Sequence, residues 1–227
     1  MKKVFSRSIL VGLALVMMVV PFMLTGCGQN NAETEAPSSA AATAVDQDQE
    51  AASEFLPPDE VEGTMRKVQI DIQDYGTVML ELNETVAPIS VANFIELAES
   101  GFYDGLTFHR IIDGFMIQGG CPEGTGTGGS DKNIKGEFIA NGVANPISHV
   151  RGAVSMARSQ HPDSASSQFF IVHENSTFLD GEYAGFGRVT EGMEFVDKIA
   201  KETPVTDNNG TVKDGAQPII TKVTVLD

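Results

Sequence analysis

From Lys67 onward the apolar residues recur at every second position, in runs no longer than one strand. KVQIDIQ and TVMLEL flank the short turn Asp74-Tyr75-Gly76, a pattern that predicts a β-hairpin with one face toward a core. FHRII, FMIQ, GAVSMA, QFFIVH, AGFGRV and PIITKVTVL follow as further short strands. Two stretches break this period. PISVANFIELAESG sets Ile89, Phe94, Ile95, Leu97 and Ala98 on one helical face, with Pro88 near its start and Gly101 beyond its end. EGMEFVDKIAK reads as a second amphipathic helix. Strand edges carry unpaired N–H and C=O groups, so a domain made of such strands must close on itself or cover its edges. About eight short strands and two helices therefore predict a closed or nearly closed β structure.

The residues before these strands are of a different kind. MKKVFSRSILVGLALVMMVVPFMLTGCGQ has a basic start (Lys2, Lys3, Arg7), an apolar run from Ile9 to Leu24, and then Leu24-Thr25-Gly26-Cys27. The run has the length of a signal-peptide core and is short for a membrane span, which needs roughly 20 residues. An uncleaved anchor helix is the alternative. The LTGC ending resembles the lipobox of bacterial lipoproteins, which implies a signal peptide over residues 1–26 and lipid attachment at Cys27. The segment 27–62 is rich in Ala, Ser, Gln and acids without apolar periodicity, and reads as a disordered tether. Cleavage would remove three cations and no acids, moving the formal charge from −16 to about −19. So acidic a chain is a poor partner for nucleic acid, whose phosphates call for Lys and Arg. With Cys27 modified only Cys121 remains, so no internal disulfide supports the fold.

Several chemical signals fail on their context. Gly124 to Gly129 contains a formal GxGxxG, but SDKNIKGEF after it does not read as the helix a dinucleotide site requires. The four histidines, His109, His149, His161 and His173, have no metal-ligand spacing, and no metal site is predicted. Asp207-Asn208-Asn209-Gly210 resembles the start of a calcium loop without its sixth-position glycine, and reads as a turn before the last strand. The serines near His161 and Asp163 lack a nucleophile-elbow sequence.

One constellation remains. FHRIIDGFMIQGG, GAVSMA, SSQFFIVH and STFLDGEYAGFGRV occur in that order and at compact spacing. A Phe-Arg-Phe pattern by itself is usually a core with a snorkelling cation. The ordered set resembles the cyclophilin family of peptidyl-prolyl cis/trans isomerases, over residues 66–226. The resemblance implies a mainly β fold, an eight-stranded antiparallel closed β-barrel capped by two α-helices, over residues 63–227. It implies isomerisation of X–Pro bonds without a cofactor. Arg110 would be the donor to the prolyl nitrogen, and Gln118 would bond the substrate backbone. Phe115, Met116 and Phe170 would form the proline pocket, with Leu179 on its wall. Phe108 would pack behind Arg110 and belong to the substrate-binding set. Ala157 and Arg158 would offer backbone contacts to an extended peptide, and Gln168 would line the neighbouring groove. Under strand alternation His109 points away from Phe108 and Arg110 and reads as structural.

Departures from the family pattern lie at the rim. Phe178 stands where many members carry tryptophan, which removes an N–H that cyclosporin-type ligands use, and Tyr183 stands where many carry histidine. Both keep an apolar substrate wall. Cys121 replaces an aspartate common in bacterial relatives, and the segment 158–167 is one residue longer than in short members. The expectation is a monomeric, lipid-anchored isomerase on the extracytoplasmic face of a bacterial membrane, acting on unfolded or partly folded proline-containing chains. A non-catalytic peptide-binding module and a transporter's solute-binding lipoprotein are the alternatives.

Overall fold

The first hairpin forms where the alternation places it. The computed structural model describes residues 54–227, and in it strands β1 (Met65–Ile72) and β2 (Gly76–Asn83) pair antiparallel across the Asp74–Gly76 turn. The signal segment, Cys27 and most of the tether lie outside the described residues. Helix α1 (Pro88–Glu99) follows, then β3 (Thr107–Ile112), β4 (Met116–Cys121), β5 (Ala153–Met156), β6 (Phe169–Val172), β7 (Gly185–Glu191), helix α2 (Met193–Glu202) and β8 (Ile220–Val225). All strand pairs are antiparallel, in the order β3-β4-β6-β5-β7-β2-β1-β8. Alternate residues of β1 and β2, among them Val68, Ile70, Val78 and Leu80, enter one core with Phe94, Phe169 and Phe186.

The expected closure of the barrel does not occur; the sheet is a curled half-barrel. Its edge strands β3 and β8 meet only around an isolated bridge, Thr107 to Ile219, with Phe108 N–H donating to Pro218 O at 2.9 Å. Farther along β3 the outer edge is taken by loop backbone: Ile111 N–H donates to Gly210 O at 2.8 Å, and Val212 N–H to His109 O at 3.0 Å. The segment between α2 and β8 thus fills the seam, satisfying edge groups that a strand ladder would otherwise pair.

Two further expectations are corrected. The folded part begins before residue 63: Leu56 forms a parallel bridge to Ile147, its N–H donates to Pro146 O at 2.8 Å, and Val61 is buried. Helix α1 buries Val91, Phe94, Ile95 and Ala98, whereas Ile89 is 41% exposed and Leu97 is half-buried. Ile89 lies in the first turn, whose backbone is held from elsewhere in the chain. Pro88 occupies the start and no neighbouring side chain caps it. The buried Glu137 supplies the cap instead, accepting from Ile89 N at 2.9 Å, Ser90 N at 2.7 Å and Ser90 Oγ at 2.7 Å. A carboxylate at a helix N-terminus also complements the helix dipole.

Glu137→Ala should therefore destabilise the domain. Leaving such buried donors unpaired typically costs about 1–3 kcal/mol. Urea unfolding will read this as a lower midpoint at unchanged slope, and Glu137→Gln, which keeps an acceptor, should recover part of the loss.

Candidate active site

The pairing of β3 with β4 sets the direction of every residue in FHRII. Phe108 faces Gly119 but Arg110 faces Gln118, so His109 is an extra residue on β3. A bulge of this kind reverses the alternation beyond it. Phe108 and Ile111 both enter the core, while Arg110 lines a cavity beside it. The expectation that Phe108 shares a face with Arg110 and contacts substrate is overturned: it is fully buried, with its ring 6.1 Å from that of Phe169. His109 is buried next to Gly126, and neither ring nitrogen has a hydrogen-bond partner among the described residues. Burial, seconded by the Arg110 charge, lowers its pKa.

A cavity of about 110 Å³ opens where β4, β6 and the 177–183 turn converge. Phe115, Met116, Phe170, Leu179 and Tyr183 supply its apolar walls, and Arg110, Gln118, Ala157 and Arg158 complete it. Pockets for drug-sized ligands run to roughly 300–1,000 Å³, so this one has room for a single small side chain. Phe178 stands outside it on the rim, 71% exposed, with its ring 5.5 Å from Phe115.

The guanidinium of Arg110 is held on two sides. Nε donates to Asn209 O at 2.9 Å, and Nη1 donates to Gln118 Oε1 at 3.2 Å while lying 4.0 Å from Met116 Sδ. Nη2 has no acceptor among the described residues, so its N–H groups are available to a ligand. Burial lowers the Arg110 pKa, with Tyr183 and Asp207 opposing the shift. An arginine starts so far above neutrality that it stays charged. Gln118 is itself oriented, since its Nε2 donates to Gln168 Oε1 at 2.9 Å. Gln168 Nε2 in turn donates to Gly126 O at 2.9 Å and Gly128 O at 2.6 Å. A continuous chain of amides thus runs from the glycine-rich loop to the cation.

Gln168 belongs to a second, polar cavity of about 280 Å³, which shares Gln118, Ala157 and Arg158 with the first. Residues 126–130, Asn133 and Ser166 line it. Sequence reasoning read the glycine-rich stretch only as a loop, because its bond to Gln168 joins segments some forty residues apart. Two predicted backbone contacts are also narrowed. The Ala157 N–H is committed to Gln168 O at 2.9 Å, leaving its carbonyl for a ligand. The Arg158 side chain is a rim staple: it donates to Glu182 O at 2.8 and 3.0 Å and lies over the rings of Phe138 and Tyr183.

Behind the apolar cavity, Phe170 stacks on His149 with centroids 6.0 Å apart and meets Tyr183 edge-on at 5.9 Å. His149 Nδ1 lies 2.8 Å from Asp180 Oδ1, and Nε2 lies 3.0 Å from Ser155 Oγ. The connectivity is that of a nucleophilic triad, but Ser155 is fully buried and no substrate can reach it. The network instead immobilises the ring that backs Phe170. Burial opposes ionisation of Asp180. Hydrogen bonds from the His149 ring, the His149 backbone and Ser148 outweigh it and hold the carboxyl below its ordinary pKa.

Comparison with known proteins follows the same geometry. The family model described as "Cyclophilin type peptidyl-prolyl cis-trans isomerase/CLD" matches residues 67–225. Peptidyl-prolyl cis-trans isomerase B of Bacillus subtilis is 50% identical over 129 residues, 57% of this chain and 87% of that protein. A peptidyl-prolyl cis-trans isomerase of Helicobacter pylori is 49% identical over 126 residues, 55% of this chain and 74% of the relative. Among solved structures, a Cryptosporidium parvum cyclophilin-type isomerase superimposes with a TM-score of 0.64 at 31% identity, covering 72% of this chain and 99% of that one.

The Asp180 network generates a pH prediction. A carboxyl whose pKa is depressed by folding adds stability that is complete above its unfolded pKa, about 3.9. That stability is lost as pH falls through the lower, folded value. Asp180→Asn should thus be less stable than wild type at neutral pH, with the gap narrowing as pH drops below about 4. Denaturant unfolding at a series of pH values measures it; a gap independent of pH would mean that the carboxylate charge is not what binds His149.

Proposed function

This chain belongs to the cyclophilin-type peptidyl-prolyl cis-trans isomerase family, and on that premise we propose that Arg110 Nη2 drives rotation of X–Pro bonds seated in the Phe115–Phe170 pocket. Isomerisation breaks no covalent bond. It works against a resonance barrier of about 18–20 kcal/mol, and conjugation is lost at the top. The prolyl nitrogen then regains a lone pair that the planar amide lacks. A donor aimed at this nitrogen is bound more strongly in the transition state than in the ground state, which is the condition for catalysis. The observation carrying the assignment is the guanidinium tethered through Nε and Nη1 beside an apolar cavity of about 110 Å³, with Nη2 unspent. A water-poor wall strengthens the electrostatic effect of the cation. Gln118, with one N–H left after bonding Gln168, is suited to hold the substrate backbone beside the rotating amide.

The setting of this activity rests on the amino-terminal sequence. The lipobox-like LTGC and the acidic stretch after it support an enzyme tethered by lipid at Cys27 to the outer face of a bacterial membrane. Its substrates there are unfolded or partly folded chains whose X–Pro bonds exchange in tens to hundreds of seconds uncatalysed. Phe178 and Phe115 present an apolar rim for residues flanking the proline.

Arg110→Ala should lower kcat roughly a hundredfold or more, as loss of a transition-state donor does elsewhere, with a smaller effect on KM. A protease-coupled assay on a proline peptide checks it, and wild-type turnover by the folded variant would remove Arg110 from the mechanism. Cys27→Ala should move the protein from the membrane to the soluble fraction with isomerase activity intact, because stable anchoring takes two or more acyl chains. Retention of the variant in membranes would point to an uncleaved apolar helix.

A further inference from the structure

The turn Asp207-Asn208-Asn209-Gly210, which the sequence offers only as a connection before the last strand, lies against Arg110. Val205 and Val212 bridge antiparallel, and Thr206 N–H donates to Thr211 O at 2.8 Å, making a small hairpin. Its far arm docks on the outer edge of β3 through the Arg110–Thr211 bridge and the bonds at Ile111 and His109. Gly210 permits the approach: its φ is +81°, and a Cβ there would collide with the Ile111 carbonyl. At the tip, Asp207 Oδ1 accepts from Asn209 N at 3.0 Å and from Thr211 N at 3.1 Å. The Asn209 carbonyl, two residues on, is the acceptor for Arg110 Nε.

We propose that Asp207 is a positioning residue for isomerisation: by tying down the Asn209 and Thr211 N–H groups it aims the Asn209 carbonyl at Arg110 Nε and so fixes where Nη2 points. This rests on Arg110 being the donor to the prolyl nitrogen. A planar guanidinium gripped only through Nη1 by Gln118 can pivot about that bond. A second grip at Nε defines its plane. The hairpin supplies that grip through backbone, so the side chain of Asn209 is not the agent and that of Asp207 is. The interaction spans ninety-nine residues from Arg110 to Asn209, which is why no local pattern announces it.

The test combines kinetics with a direct view of the guanidinium in the domain from residue 54, the folded unit described above. Asp207→Ala should lower kcat about tenfold with KM within about twofold, since small errors in aim act on the transition state. It should also speed hydrogen exchange of the Arg110 Nε–H, followed by NMR, by a similar factor. Asp207→Asn, which keeps Oδ1 as an acceptor, should restore both. In an Arg110→Ala background Asp207→Ala should have no further effect on rate, because residues acting as a unit are non-additive. An equal loss of rate with and without Arg110 would make Asp207 merely structural and overturn the proposal. Unchanged Nε–H exchange in Asp207→Ala would overturn it as well. That exchange needs no turnover, so it judges the Asp207 grip even if Arg110 proves not to be the donor.

Discussion

A cation beside an apolar pocket has lost part of its water, and it stays useful only if enough of its N–H groups find acceptors while one faces the reacting atom. Arg110 meets this condition by being shared among distant parts of the chain. β4 contributes Gln118, β6 is preceded by Gln168, which braces Gln118, and the segment before β8 contributes the Asn209 carbonyl. Hydrogen bonds to a charged group are among the stronger ones a protein makes, and those to Arg110 serve orientation as much as stability. The family's chemistry needs no nucleophile. Its structural demand falls on the aim of one guanidinium.

That demand explains two irregularities in the sheet. The bulge at His109 turns Arg110 out of the core without moving Phe108 from it, so one short strand serves both packing and chemistry. The unclosed seam between β3 and β8 leaves the outer edge of β3 open to the 205–212 hairpin. A fully closed ladder would have paired that edge with another strand, and the Asn209 carbonyl would have no route to Nε. The buried Asp180–His149–Ser155 network plays the matching part for the apolar wall, holding Phe170 from behind.

Much of the site was legible because the side chains that touch the pocket are clustered in short ordered motifs. Arg110, Phe115, Met116, Gln118, Phe170, Leu179 and Tyr183 all meet at one cavity. Strand alternation alone misplaces Phe108, because no residue type marks the bulge at His109. A helical wheel puts Ile89 on the buried face of α1, since it cannot register that Glu137, some fifty residues later, takes hold of that first turn. The glycine-rich stretch and the Asp207 turn were visible as loops, but their bonds to Gln168 and Arg110 were not.

What the sequence determined by itself is therefore what depends on neighbours along the chain. Strands arise from alternation because successive Cβ atoms point to opposite faces, and α1 starts at Pro88 because its fixed φ suits the first helical turn. The acidic charge follows from composition alone. Only the tertiary structure decided which way Arg110 points, what caps α1, where the barrel stays open and which carbonyl grips Nε. Each of these turns on a one-residue register shift or on a hydrogen bond between segments far apart in the chain, and neither leaves a periodic trace in the order of residues.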